Sequence, residues 1–289
     1  MKTKILIPIY NDWQSVFKLL ENIDSQIDGW DAEVSVLIIN DASTEKKPNN
    51  SFGFKNLKSV KIINMKKNWG HARCIAAGLK YIYEKEEFDH VIPMDGDGED
   101  QPAELGSIIC EAYGYPNNVI TANRIKRSEG FLFRFCYLLH KFLTFIFAGQ
   151  SIKFGNYACL PKPVVAQMIK EPATWSSFSG SLSKLVTSRL SVKSIRGFRY
   201  FGPSKMSFFS LIKHSLSIIA VFRTTVLIRA MIFLAVYLFF VLQHISVVTL
   251  IPVVLVILMI ISVFILSRRE NITELNNSLE NISNIENLK

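Results

Sequence analysis

The sequence predicts an α/β fold followed by an interfacial amphipathic helix and a two-helix transmembrane hairpin. Three observations carry this. Strand-like and helix-like patterns alternate through the first 124 or so residues. Polar, glycine-containing motifs stand where predicted strands end. Two long, nearly uncharged apolar runs lie close together near the C-terminus.

The strands read as Lys4–Tyr10, Glu33–Ile39, Val60–Met65, His90–Met94 and Val119–Asn123. They are short, β-branched and apolar on both faces, as strands of a sheet covered by helices are. Between the first two, Val16, Leu19, Leu20, Ile23 and Ile27 form one helical stripe, with Asn11 or Asp12 placed as N-cap. Ile75, Leu79 and Ile82 form a second stripe. Strand–helix alternation implies right-handed crossovers and parallel strands. Ligands of such sheets bind beyond the carboxyl ends of the strands.

Further along, Phe131–Ala148 is apolar but broken by Arg134, His140 and Lys141, so it reads as a buried or surface-lying helix. Met206–Thr225 sets Phe208, Phe209, Ile212 and Leu216 among Lys205, Lys213 and Arg223, an interfacial pattern. The runs Ala230–Leu242 and Val247–Leu266 then read as spans, the second free of charge throughout. Arg223, Arg229, Arg268 and Arg269 flank the outer ends and the turn has no Lys or Arg, which predicts both ends on the cytoplasmic side. The expected division is 1–205 catalytic domain, 206–225 interfacial helix, 226–267 hairpin and 268–289 polar tail, the tail being either a short helix or disordered.

The chain has 289 residues, a net charge of +9 and 49% hydrophobic residues including 21 Phe. The positive balance suits anionic partners. No nucleic-acid-binding signature accompanies it, which leaves phosphorylated substrates and acidic lipid surfaces and argues against nucleic acid. Cys74, Cys110, Cys136 and Cys159 form no CxxC pair, so they read as reduced cysteines rather than a zinc site. The N-terminus opens directly on a strand instead of a signal-peptide pattern, so the catalytic part is expected in the cytoplasm.

The most informative segment is Asp95-Gly96-Asp97-Gly98-Glu99-Asp100-Gln101-Pro102. Carboxylates one residue apart at a strand end offer hard oxygen ligands for Mg²⁺ or Mn²⁺, which can bridge a diphosphate. The preceding strand and Pro102 argue against a calcium-binding helix–loop–helix. Asn40-Asp41-Ala42-Ser43-Thr44 ends another strand; Asp41 could accept from a base or ribose hydroxyl. Pro8-Ile9-Tyr10-Asn11-Asp12 ends the first. Asn68-Trp69-Gly70-His71-Ala72-Arg73 enters a helix whose N-terminus favours phosphate or a polar sugar group.

In their order, these four motifs resemble glycosyltransferase family 2 and its GT-A, Rossmann-like fold, over roughly residues 3–205. A narrower resemblance is to the polyprenyl-phosphate glycosyltransferases, such as dolichol-phosphate mannose synthases and bactoprenol glucosyltransferases. It rests on the run Asp95 to Pro102 with Glu104, on Arg124 and Arg127, on Gly155–Leu160, and on Arg199 to Lys205 ahead of the apolar helices. The resemblance implies inverting transfer of a sugar from a nucleotide-sugar to a membrane polyprenyl phosphate. Asp95 and Asp97 would be the catalytic, metal-holding pair. Pro8, Tyr10, Asp12, Asp41, Asn68, Gly70, Arg73 and Asp95 would bind the nucleotide-sugar. Arg124, Arg127, Arg199, Ser204 and Lys205 would bind the acceptor phosphate. Two departures stand out: Asn40 replaces the first Asp of an Asp-Asp pair, and Asn156 replaces an acid common in relatives. Transfer to a lipid-linked saccharide or another hydroxyl acceptor would need a base, with Asp100, Glu99 or Glu104 as candidates. A non-catalytic membrane scaffold is a further alternative. The sugar, the nucleotide and the oligomeric state, a homo-oligomer included, stay open.

Overall fold

The computed structural model describes residues 1–48, 53–126, 138, 141–203 and 208–289. Its centre is an eight-stranded sheet in the order β7-β5-β6-β4-β1-β2-β3-β8. The strands are β1 (Lys2–Ile9), β2 (Glu33–Asn40), β3 (Ser59–Met65), β4 (His90–Pro93), β5 (Ile120–Lys126), β6 (Ala158–Pro161), β7 (Leu190–Ile195) and β8 (Ile282–Asn287). The five strands read from sequence are thus present within a residue or three of their expected ends. β1 runs parallel to β2 and β4, and β2 to β3. β6 inserts antiparallel between β4 and β5, so β5 still points the same way as β4. The carboxyl ends of β1–β5 therefore share one edge.

Helices α1 (Trp13–Gln26) and α3 (Leu105–Gly114) cover one face; α2 (His71–Lys85), α4 (Lys162–Met168) and α5 (Phe178–Leu185) cover the other. The alternation of β1 explains how one strand serves both layers: Ile5, Ile7 and Ile9 join Val16, Leu20 and Ile23, while Leu6 joins Leu79 and Ile82. Each such fully buried side chain contributes about 1.5–3 kcal/mol. Helix α2 lies tight against β1 at Gly78, where a Cβ would stand 2.3 Å from Leu6 Cδ1.

The C-terminal part differs from expectation in two respects. The amphipathic helix α6 (Phe208–Ala220) stops short of Thr225, because the chain turns at Val221-Phe222, where the Phe222 amide bonds the Ile219 carbonyl. A new helix, α7 (Arg223–Val241), then begins. It pairs with α8 (Val247–Ser267), whose Ser246 cap bonds the Thr249 amide at 3.2 Å. Both are long and apolar enough to cross a membrane, and only 11% of each apolar stretch is buried within the protein. Secondly, the polar tail is neither free nor merely helical. It forms the short helix α9 (Ile272–Asn276) and then β8, which pairs antiparallel with β3. The chain thus leaves the sheet through α7 and returns to it after α8.

Half of the apolar stretch Phe131–Ala148 lies outside the described residues. Its described end, 141–148, packs Phe147 and Ala148 against Ile219, Val226 and Ala230. Arg229 donates to the carbonyls of Phe145 and Ile146 at 3.3 and 3.1 Å.

Candidate active site

Three loops at the shared strand edge are fastened to one another. Asn11, after β1, adopts the left-handed conformation (φ 51°), and its Oδ1 accepts from the Thr44 and Glu45 amides at 2.8 and 3.0 Å. Its own amide donates to Ser43 Oγ. The loop after β2 is thereby tied to the loop after β1. Asp41 ties it in turn to the third: its two carboxylate oxygens each accept at 2.8 Å from the amides of Trp69 and Gly70. With only 3% of its surface exposed, Asp41 fastens a loop here, in place of the open ligand contact expected of it. Gly70, with φ 93°, is the N-cap of α2 and needs glycine's freedom.

The acidic loop follows β4. Asp95 accepts from Asn156 Nδ2 at 3.1 Å and lies 3.2 Å from His71 Nε2; Asn156 Nδ2 also lies 2.8 Å from that nitrogen. Burial works against ionising Asp95, but His71, Arg124 and Asn156 together hold its carboxyl well below the usual range. Asp97 differs. Burial, then the neighbouring charge of Asp95, push it up to about 6. Its Oδ1 accepts from the Glu99 amide at 3.0 Å, and its Oδ2 from Arg199 Nη1 at 2.6 Å. Arg199 Nη2 reaches Asp12 Oδ2, also at 2.6 Å.

This guanidinium therefore bridges carboxylates from two strand ends. Asp95 and Asp97 offer hard oxygens suited to Mg²⁺ or Mn²⁺. Among the described residues no three of His, Cys, Asp and Glu converge on a complete ligand set. Two carboxylates are a partial set of the kind that substrate phosphates and water complete.

The remaining expected residues distribute as follows. Pro8 is buried, Tyr10 is 44% exposed at the edge, and Asn68 is exposed on the third loop. Arg73 stacks over the Trp175 ring at 5.4 Å and lies 3.5 Å from Glu274. Arg124 pairs with buried Asp100 at 3.3 Å, where burial and then Asp95 push the Asp100 carboxyl up to about 7. Arg199, expected at the acceptor, bonds Asp97 and Asp12. Arg127, Ser204 and Lys205 lie outside the described residues. The three suspected bases all have partners: Asp100 has Arg124, Glu99 pairs with Arg196, and Glu104 accepts from the Ile195 amide at 2.6 Å.

His71, Trp175 and Glu274 also stand at the site's edge, without a sequence expectation attached to them. His71 lies within the Asn68–Arg73 motif, and it joins the start of α2 to the loop after β4. Trp175 and Glu274 carry no motif.

A parallel-centred sheet with Asp95 and Asp97 at a strand end is an arrangement suited to a glycosyltransferase that uses a nucleotide-sugar. The pattern of glycosyl transferase family 2 matches residues 4–160, more than half of the chain, and the protein belongs to that family. Among solved structures, it is similar to glucosyl-3-phosphoglycerate synthase from Mycobacterium tuberculosis, in complex with Mn²⁺, UDP and glucosyl-3-phosphoglycerate. The identity is 12% and the TM-score 0.55, over 78% of this chain and 79% of that one. It is also similar to mannosyl-3-phosphoglycerate synthase from Rubrobacter xylanophilus, at 10% identity and a TM-score of 0.54, over 76% and 72% of the two chains. At these identities the likeness is one of fold. The protein is a glycosyltransferase.

Proposed function

We propose that this glycosyltransferase passes a sugar from a nucleotide-sugar to a polyprenyl phosphate at the cytoplasmic face of a membrane, with inversion at the anomeric carbon. The observation that carries the acceptor class is the state of the acids around Asp95. A hydroxyl acceptor needs a base. Asp100, Glu99 and Glu104 are committed to Arg124, Arg196 and the Ile195 amide, and the side chain nearest Asp95 on the β6 side is the amide of Asn156. A phosphate monoester is already largely ionised near neutral pH, its second pKa being about 6, and needs no base.

Asp95 and Asp97 would hold Mg²⁺ or Mn²⁺, which when bound neutralises charge on the leaving diphosphate. The Mn²⁺ seen in the mycobacterial structure supports that choice. Asp12 and the loop of Asn68 to Arg73 would orient the nucleotide-sugar, with Pro8, Tyr10 and Asp41 shaping the same edge. Arg199 lies within reach of both Asp97 and any phosphate brought to it. It would exchange the carboxylates for substrate phosphate, alongside Arg124, Arg127, Ser204 and Lys205 on the acceptor. The exposed apolar faces of α7 and α8, with the Phe-rich α6 before them, fit a hairpin seated in a bilayer.

The test uses the full chain in vesicles containing undecaprenyl phosphate and a panel of radiolabelled nucleotide-sugars, each with Mn²⁺ or with EDTA. Label in the lipid extract from one donor, lost in EDTA, supports the proposal. Label that reaches only hydroxyl-bearing acceptors would replace it with the hydroxyl-transfer reading.

A further inference from the structure

The segment that follows the hairpin does more than complete the sheet. Glu274, in α9, accepts from Trp175 Nε1 at 2.6 Å and lies 3.5 Å from Arg73. Trp175 is fully buried and meets Trp69 edge-on, with ring centroids 5.1 Å apart. The Trp69 and Gly70 amides are the two that Asp41 fastens. A continuous line of contacts thus runs from Glu274 to the loop that opens α2. Leu275, with no exposed surface, wedges between Ala76 and Trp175 beside it.

A second line starts at Glu286, in β8. Its carboxylate pairs with Lys47 and accepts from Asn64 Nδ2 at 2.6 Å. Asn64 Oδ1 accepts from Asn40 Nδ2 at 2.7 Å, and Asn40 Oδ1 from the Ser43 amide at 3.0 Å. The asparagine that departs from the Asp-Asp pattern is therefore the last link between the C-terminal strand and the second loop. At its other end the segment is tied to the hairpin: Glu270 pairs with Arg223, the first residue of α7, at 2.9 Å.

We propose that residues 270–289 are a strap that positions the donor-binding loops from behind and joins them to the base of the hairpin, with Glu274 and Glu286 as its two positioning residues. This rests on the reading of the Asn68–Arg73 segment as part of the donor site. Neither glutamate bonds to the acidic loop; the strap acts on the site through the donor-binding loops.

The test compares Glu274→Ala and Glu274→Gln with the wild type as full-length protein in nanodiscs. Two quantities are read: hydrogen exchange at the Trp69 and Gly70 amides, and binding of UDP, GDP, CDP and ADP, each with Mn²⁺. Glu274→Ala should speed exchange at those amides and weaken the bound nucleotide, each by about tenfold, the size of one lost hydrogen bond to a charged group. Exchange in β1 and β2 should stay unchanged. Glu274→Gln keeps a neutral acceptor for Trp175 Nε1 and should fall between the wild type and Glu274→Ala, which a purely electrostatic role for the glutamate would not allow. Unchanged exchange in Glu274→Ala overturns the strap. Faster exchange in a protein whose wild type binds none of the four nucleotides would overturn the donor-site reading and keep the strap only as loop support.

Discussion

Arg199 donates to Asp97 at 2.6 Å across 102 residues of sequence, and with its other nitrogen holds Asp12. The guanidinium competes with any divalent cation for the Asp97 carboxylate. Arg199→Ala should therefore tighten Mn²⁺ binding, measured by electron paramagnetic resonance, while lowering sugar transfer by at least about tenfold through the loss of the charge-assisted phosphate contact proposed for it. Weaker Mn²⁺ binding in this variant would show that Arg199 supports the metal site and does not compete with it.

Asp97→Asn removes a charged oxygen proposed to hold the metal and keeps the shape. Transfer should fall by about 10²–10³, the usual cost of losing one electrostatic contact to developing charge. Circular dichroism and membrane association should not change. Retained activity in this variant, or in excess chelator, would remove the metal from the account.

The pH dependence of metal binding follows from the same carboxyl, which titrates at about 6 in the metal-free protein. Below that pH Asp97 is protonated, and the cation must displace the proton. Apparent Mn²⁺ affinity should fall about tenfold per pH unit below 6 and level off above 7. Titration calorimetry from pH 5 to 8 reads this directly, and a flat profile would contradict it.

Ala42 sits at φ 54°, a left-handed conformation that costs an L-residue about 1–2 kcal/mol. Ala42→Gly should relieve it, offset in part by the added freedom of the unfolded chain, for a net gain of up to about 1 kcal/mol. Thermal unfolding in detergent checks this; a lower melting temperature would mean that the Ala42 methyl contributes packing that outweighs the strain.

Much of this was legible in the sequence because of where apolar runs stop. β1 to β5 are buried on both faces, so their composition announces them, and each motif falls where such a run ends. β8 was not legible. Ile282-Ser283-Asn284-Ile285-Glu286-Asn287 has little apolar content and becomes a strand only because β3 offers an open edge to pair with. The antiparallel insertion of β6 was hidden for a similar reason, since four residues carry no direction. Within the site, the positions of Asp95 and Asp97 followed from one strand end. The Arg199–Asp97 pair and the line from Glu274 to Trp69 join segments remote in sequence, and no local pattern encodes them.

The most direct test of the central claim is the fate of the label when a radiolabelled nucleotide-sugar and undecaprenyl phosphate are supplied together in vesicles carrying the full chain. The account predicts a labelled lipid whose formation needs Mn²⁺ or Mg²⁺, stops in Asp97→Asn, and leaves the sugar inverted at its anomeric carbon. A labelled lipid formed equally well in EDTA, or transfer only to hydroxyl acceptors with polyprenyl phosphate inert, would contradict it.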